Sequence, residues 1–329
     1  MLSQLLGGTC ECCGTSNATL QSEHLAHQVA MPAIIAGGLL SNLLCLVVLT
    51  RSSLRGVTYT YLSGLAAADL GVILCAIPLA ARRGHSSHAE LAATGTFMAS
   101  STFIVVCLAV DRYVSVCVPT KLRGPRTRRN ARLAVVACYV AAAVVSCPLL
   151  LPDTMCTDEI AWFVYLWASE AVVRIAPAIV LVVLNALIVR KFLSLSGNRR
   201  RFRAASDKFR TRHLLDSAPT TGLRNRSYHE ERHLVALLSS LVILFLVTTT
   251  TSVTLSLFGL RAAAGDVELC KFAFNLCVYL VFSKEFRREF LYVVKGCPAH
   301  QQANEEEAPS QNGSPVPHSP DNVQAIACT

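Results

Sequence analysis

Long apolar runs with few charges recur along this chain and limit what it can fold into. A helix needs about 20 mostly apolar residues to cross the hydrocarbon core of a bilayer. Such runs lie at 29–50, 57–81, 91–118, 131–151, 160–192 and 232–260. A seventh run, 266–282, is weaker, because its first half holds Asp266, Glu268 and Lys271 and the apolar stretch 272–282 is too short to span alone. The sequence predicts an all-α membrane protein, a bundle of seven transmembrane helices, whose seventh span either includes the charged segment or is foreshortened.

The composition agrees with one bundle in lipid rather than several soluble domains. Charged residues make up 16% of the 329 residues, against about 25% in soluble domains. We predict an N-terminal segment at 1–28, a seven-helix domain at 29–297 and a tail at 298–329. The tail is acidic and rich in Pro, Ser and Gln, a composition typical of disorder.

Lys and Arg concentrate in alternate loops, which sets the orientation, because cytoplasmic loops carry the excess of positive charge. The basic segments are 51–55, 121–132, 193–231 and 284–288. We therefore expect a multi-pass protein of the plasma membrane with an extracellular N-terminus and a cytoplasmic C-terminus. The sequon at Asn17 then lies outside, where it is a candidate for glycosylation.

Polar residues within the spans are the candidate functional residues, because ionisable groups at membrane depth are costly and usually serve a function. They occur in five of the predicted spans. The most prominent are Asn42, Asp69, the triplet Asp111-Arg112-Tyr113 at the end of the third span, Asn275 and Tyr279, and Pro177 interrupts the fifth span.

Taken together, these residues resemble the rhodopsin-like (class A) family of G protein-coupled receptors over 29–297. In the family, the Arg matching Arg112 rests on its neighbour Asp111 in the inactive state and contacts the G protein on activation. The resemblance places Tyr113, Asn275 and Tyr279 in the same switch. It implies an extracellular ligand and a heterotrimeric G protein as partners besides the bilayer. No enzymatic motif is present, and we expect no nucleic-acid partner.

The resemblance also implies a sodium site in the bundle interior. The family's Asp, Ser and Asn that hold a sodium ion correspond to Asp69, Ser101 and Asn275. Lys271 lies four residues before Asn275 and therefore on the same face of the helix. Either its ammonium reaches toward Asp69 and partly replaces sodium, or it extends to water because the seventh span is short. The retinal lysine of opsins corresponds to Leu269 instead, about 200° away around the helix, which argues against retinal.

Three residues are candidates for the ligand cavity. Thr94 stands where amine receptors carry an Asp, which argues against a biogenic amine. Glu170 and Arg174 are spaced i, i+4, a stabilising order in a helix. They either pair with a charged ligand or form an internal ion pair that hides both charges from lipid. The stretch "NLLCLVVL", Asn185 and "VFSKEFRREF" resemble invertebrate receptors of the FMRFamide-type neuropeptide group, so we expect a peptide ligand.

An amphipathic helix is predicted at 283–295, because Phe282, Phe286, Phe290 and Val294 recur every four residues among basic ones. Cys297 follows it as a candidate for palmitoylation.

The sequence departs from the family at four places. Ser87 replaces the usual outer Cys, so that Cys156 lacks its usual partner and either pairs with Cys10, Cys12, Cys13 or Cys270 or stays free. Tyr139 is the only aromatic residue near the family's Trp. Thr248–Thr251 replace the kinking Pro, and Leu276 replaces another Pro. A diverged or incomplete homologue without signalling activity is therefore the first alternative, and a transporter the second.

Overall fold

Helices make up almost all of the described part of the chain. The computed structural model describes residues 17–51, 54, 56–81, 87–118, 126–150, 159–210, 220–258 and 261–295. The helices are α1 Asn17–Leu49, α2 Val57–Ala81, α3 His88–Cys117, α4 Arg128–Ser146, α5 Glu159–Glu170, α6 Ala176–Arg210, α7 Thr220–Leu257, α8 Arg261–Ala273, α9 Asn275–Phe282 and α10 Lys284–Val294. A 3₁₀ turn, Cys147–Leu150, continues α4, and a π-helical turn, Ala171–Ile175, joins α5 to α6.

Six segments of the described chain are long and apolar enough to cross a membrane, and they coincide with the six clear runs in the sequence. They are Gln28–Leu49, Val57–Pro78, His88–Cys117, Arg128–Leu150, Ile160–Ser194 and Arg232–Leu255. The fifth comprises most of α5, the π-helical turn and the first half of α6. The helices α6 and α7 both continue beyond these spans, to Arg210 and from Thr220 respectively.

The charged segment of the seventh run is helical and leads into the apolar stretch, although this pair of helices is not among the six apolar spans. Helix α8 has 13 residues and contains Asp266, Glu268 and Lys271, and α9 has 8 residues. With Phe274 between them, the two helices cover about 33 Å at about 1.5 Å per residue, enough for a hydrocarbon core of about 30 Å. The pair of helices completes the predicted seven-helix bundle.

The third span lies at the centre of the bundle, where it packs against α2, α4 and α6. Small residues allow close approach between helices, as is common in membranes. A Cβ atom at Gly64 would lie 2.7 Å from a methyl group of Val135, and one at Gly71 would lie 2.5 Å from the ring of Phe97. The side of α4 that faces away from the bundle is apolar and exposed, as at Val144, which suits contact with lipid.

Two of the residues that depart from the family's sequence pattern make side-chain hydrogen bonds. The hydroxyl of Tyr139 donates to the carbonyl oxygen of Gly64 at 3.1 Å and so joins the fourth span to the second. The hydroxyl of Thr248 donates to the carbonyl oxygen of Leu244, one turn back, at 2.8 Å. Such a bond to a carbonyl one turn back can bend a helix slightly.

The predicted amphipathic helix after the seventh span is confirmed as α10. The hydroxyl of Ser283 caps it by accepting a hydrogen bond from the amide of Phe286 at 3.2 Å. The ring of Phe286 is fully buried and meets Tyr279 edge-on, with 5.5 Å between the ring centroids. Tyr59 of α2 donates a hydrogen bond to Glu285. These contacts fix α10 against the inner ends of α2 and α9.

Candidate functional site

Arg112 is buried at the end of the third span, although it carries a full charge. Its Nη2 atom donates to Oδ2 of Asp111 at 3.2 Å and to the hydroxyl of Thr58 on α2. The side chains of Arg112 and Asp111 are only 10% and 12% exposed. The structure therefore brings together the two charged residues of the triplet, and it adds Thr58, which the sequence did not single out.

A second arginine binds the same carboxylate. Arg126 donates from Nε to Oδ1 of Asp111 at 2.9 Å and from Nη2 to Oδ2, which makes a two-pronged ion pair. Its Nη1 atom donates to the hydroxyl of Ser115 at 2.8 Å. The sequence shows Arg126 only as one of several basic residues in a loop, so nothing in it distinguishes this contact.

Two tyrosines of the predicted switch pack in the larger hydrophobic core. Tyr113 is half-buried against it. Tyr279 is fully buried, and its hydroxyl has no hydrogen-bond partner among the described residues. Asn42, also fully buried, donates from Nδ2 to the carbonyl oxygen of Phe272 at 2.8 Å and so ties α1 to the seventh span.

The carboxylate of Asp69 joins the second, third and seventh spans. The hydroxyl of Ser101 donates to its Oδ1 at 2.7 Å, and Nδ2 of Asn275 donates to its Oδ2. The three residues predicted to act together therefore meet in the structure. Asp69 is fully buried. The hydrogen bonds from these two donors replace those that its carboxylate would make to water.

Lys271 lies near this carboxylate without pairing with it. Its ammonium rests 4.5 Å from the centroid of the Phe272 ring and 5.1 Å from that of Phe245. A cation over an aromatic face is attracted by the ring quadrupole. Within the described residues, Lys271 makes no salt bridge, although Asp69 and Glu268 lie within its electrostatic reach.

An ion-pair network crosses the outer half of the bundle. Nε of Arg174 lies 3.1 Å from Glu170 on the same span, and its Nη2 donates to Oε1 of Glu268 on α8 at 2.6 Å. The predicted pair is therefore part of a triad that joins the fifth span to the seventh. From the sequence, Glu268 was only one of the charges that make the seventh run a weaker candidate for a membrane span. Arg174 lies in the π-helical turn, a feature that often occurs at functional sites.

A small cavity adjoins the triad between the third, fourth and fifth spans. Its volume is about 30 Å³ and its polar lining includes Ser146, Tyr165, Ser169, Glu170 and Arg174. This is enough space for one or two waters.

Thr94 does not line this cavity. Its hydroxyl donates to the carbonyl oxygen of Glu90 at 2.8 Å on its own helix.

Several predicted sites lie outside the described residues. They are the Asn17 side chain, Cys10, Cys12, Cys13, Cys156 and Cys297. Cys270, one of the possible partners of Cys156, has a free thiol.

The described chain combines six apolar membrane-crossing segments with the helix pair α8 and α9 as the seventh element of the bundle. A buried Asp–Arg pair lies at the end of the third segment, and a polar centre joins spans two, three and seven. These features define a seven-helix membrane receptor. Residues 41–285 match the family model of the "7 transmembrane receptor (rhodopsin family)". The chain belongs to this family, which is a class of receptors and not of enzymes.

Three relatives illustrate the range of similar proteins. A "Probable G-protein coupled receptor" of Caenorhabditis elegans is 25% identical and aligns over 84% of this chain and 76% of its own length. The somatostatin receptor type 3 of Rattus norvegicus is 29% identical over 70% of this chain and 56% of its own. The neuromedin-U receptor 1 of Homo sapiens is 32% identical over 35% of this chain and 29% of its own.

Proposed function

We propose that this receptor detects an extracellular peptide and activates a heterotrimeric G protein from the plasma membrane. The observation that carries the proposal is the geometry at Arg112, where a buried guanidinium lies between Asp111 and Thr58. A charge that rests on neighbouring side chains at the end of a span is suited to leave them when the bundle opens. The basic segment 193–231 between the fifth and sixth spans offers further surface for a G protein and for anionic lipid.

The peptide ligand is supported by two independent points. Relatives named for somatostatin and neuromedin-U match the chain, and Thr94 leaves the third span without the acid that holds an amine. Within this class, the resemblance of Asn185 and of "VFSKEFRREF" to FMRFamide-type receptors makes that neuropeptide group the first to test.

A G-protein activation assay tests the proposal. Cells that express the receptor are challenged with a neuropeptide library that includes peptides of the FMRFamide group, and energy transfer between G-protein subunits is recorded for each Gα subtype. We expect at least one peptide to activate one subtype. Arg112→Ala should abolish the response while surface expression, measured by biotinylation, stays normal.

The outcome also separates the alternatives. Normal surface expression with no response to any ligand and no basal activity would favour a homologue without signalling activity. Ligand-dependent currents or solute uptake without G-protein activation would favour a transporter.

The orientation has a separate test at Asn17. If the N-terminus is extracellular, glycosidase treatment should increase the electrophoretic mobility of the receptor, and Asn17→Gln should remove that shift. Metabolic labelling with a palmitate analogue, compared between the native chain and Cys297→Ser, tests the lipid anchor in the same way.

We also propose that Lys271 supplies part of the positive charge that sodium supplies in related receptors. Both oxygens of Asp69 already accept hydrogen bonds, from Ser101 and Asn275, and Lys271 lies within electrostatic reach. The thermal stability of the purified receptor should then be the same in sodium chloride and in choline chloride. Lys271→Met should make it depend on sodium. A strong sodium dependence of the native chain would contradict this role.

A further inference from the structure

The loop arginine Arg126 shares the carboxylate of the switch with Arg112. Arg126 directly precedes Thr127, which caps α4 by accepting a hydrogen bond from the amide of Asn130 at 3.2 Å. The cap fixes the backbone next to Arg126, so its side chain has a defined position beside the end of α3.

All three nitrogens of the Arg126 guanidinium donate hydrogen bonds to side chains on one face of α3. Nε and Nη2 bind the two oxygens of Asp111, and Nη1 binds the hydroxyl of Ser115, one helical turn further on. Bidentate pairs between arginine and carboxylate are among the strongest hydrogen-bonded ion pairs in proteins. Arg112 donates to Oδ2 of the same carboxylate from Nη2 at the longer distance of 3.2 Å.

Two guanidinium groups therefore share the carboxylate of Asp111. The two-pronged pair with Arg126 competes for Oδ2, the oxygen that Arg112 also binds. This competition weakens the hold of Asp111 on Arg112 and favours the state in which Arg112 leaves Asp111.

We propose that Arg126 is a positioning residue that sets the resting activity of the receptor by drawing Asp111 away from Arg112. The proposal rests on the proposed role of Arg112 in G-protein activation. The proposal predicts the direction of the effect on basal signalling. Arg126 promotes signalling, because without Arg126 the carboxylate of Asp111 binds Arg112 more firmly.

The direction of this effect is tested by measuring the basal rate at which the full-length receptor in nanodiscs catalyses nucleotide exchange on G proteins. We expect Arg126→Ala to lower it by about threefold to tenfold, since a hydrogen bond to a charged group contributes enough for about tenfold and Arg126 is 26% exposed. Arg126→Lys keeps the charge but loses the two-pronged geometry. Its exchange rate should lie between that of Arg126→Ala and that of the native chain. Arg132→Ala is the matched control, an exposed arginine of α4, and should leave the rate unchanged.

A double-variant cycle separates positioning from a general structural role. In the Asp111→Asn background, Arg126→Ala should change the rate by less than about twofold, because the carboxylate through which it acts is gone. An equal loss in both backgrounds would overturn the proposal, and so would an unchanged or raised rate for Arg126→Ala alone.

A second readout does not depend on finding the right G protein. Spin labels attached through noncanonical amino acids at the inner ends of α2 and α7 report the fraction of open receptor by their distance distribution. Arg126→Ala should lower that fraction, and an unchanged fraction would refute the inference. If the native receptor opens but activates no G protein, the proposed function fails while this result still decides the role of Arg126.

Discussion

Replacing Arg174 by methionine should destabilise the resting receptor markedly. The variant keeps a side chain of similar length but leaves Glu170 and Glu268 without their shared cation. The three side chains are 15–18% exposed, so both carboxylates would remain largely buried. Breaking a buried ion pair by removing one partner costs about 3–5 kcal/mol. The partial exposure places our expectation near the lower end, at about 3 kcal/mol.

The measurement is the temperature at which the purified receptor, without ligand, loses its monodisperse elution profile. A change of about 3 kcal/mol corresponds to a fall of about 4 °C for a chain of 329 residues, because the unfolding entropy is about 2.1 cal/mol/K per residue. Arg190→Met serves as the control, because Arg190 is an exposed residue of the same span, and this variant should melt at the same temperature as the native chain.

A triple variant tests whether the cost comes from uncompensated charge. Glu170→Gln, Arg174→Met and Glu268→Gln together remove all three charges and should recover most of the lost stability. Unchanged melting of Arg174→Met would refute this reasoning. If peptide responses were lost at the same time, the triad would be a ligand contact and not an internal ion pair.

Two further changes test the packing of the bundle. Gly71→Ala should lower the melting temperature by several degrees, because its Cβ atom would lie 2.5 Å from the Phe97 ring and overpacking costs about 1–3 kcal/mol. Gly37→Ala, with nothing within 4 Å of the added atom, is the control and should not. Asn42→Ala should cost about 1 kcal/mol, the scale of hydrogen bonds between membrane helices. The same melting assay checks both, and a neutral Asn42→Ala would show that its 2.8 Å bond to Phe272 adds no net stability.

The sequence predicts the six clear spans well, because hydropathy depends on local composition alone. It also predicts that Asp69, Ser101 and Asn275 meet, since the family resemblance carries information about distant contacts. The seventh span was ambiguous for a physical reason. The charge of Glu268 counts against membrane burial until its partner is known, and that partner, Arg174, lies 94 residues away in the sequence.

The contact between Arg126 and Asp111 could not be predicted for a related reason. Several arginines follow the third span within a few residues, and each has the same charge and reach. Which of them meets the carboxylate depends on where α4 begins, and this is set by the cap at Thr127. Helix boundaries are the least certain part of a prediction from one sequence, so a contact that depends on one boundary is equally uncertain.

The length of α6 and α7 has a mechanical consequence. Helix α6 continues from its membrane span, which ends at Ser194, to Arg210, a distance of about 24 Å at about 1.5 Å per residue. A tilt of the membrane-spanning part of either helix therefore moves the far end of that helix. A tilt of about 5° at the membrane would displace the tip of α6 by about 2 Å on this length. Rearrangements too small to break contacts within the bundle would thus become visible at the far ends of these two helices.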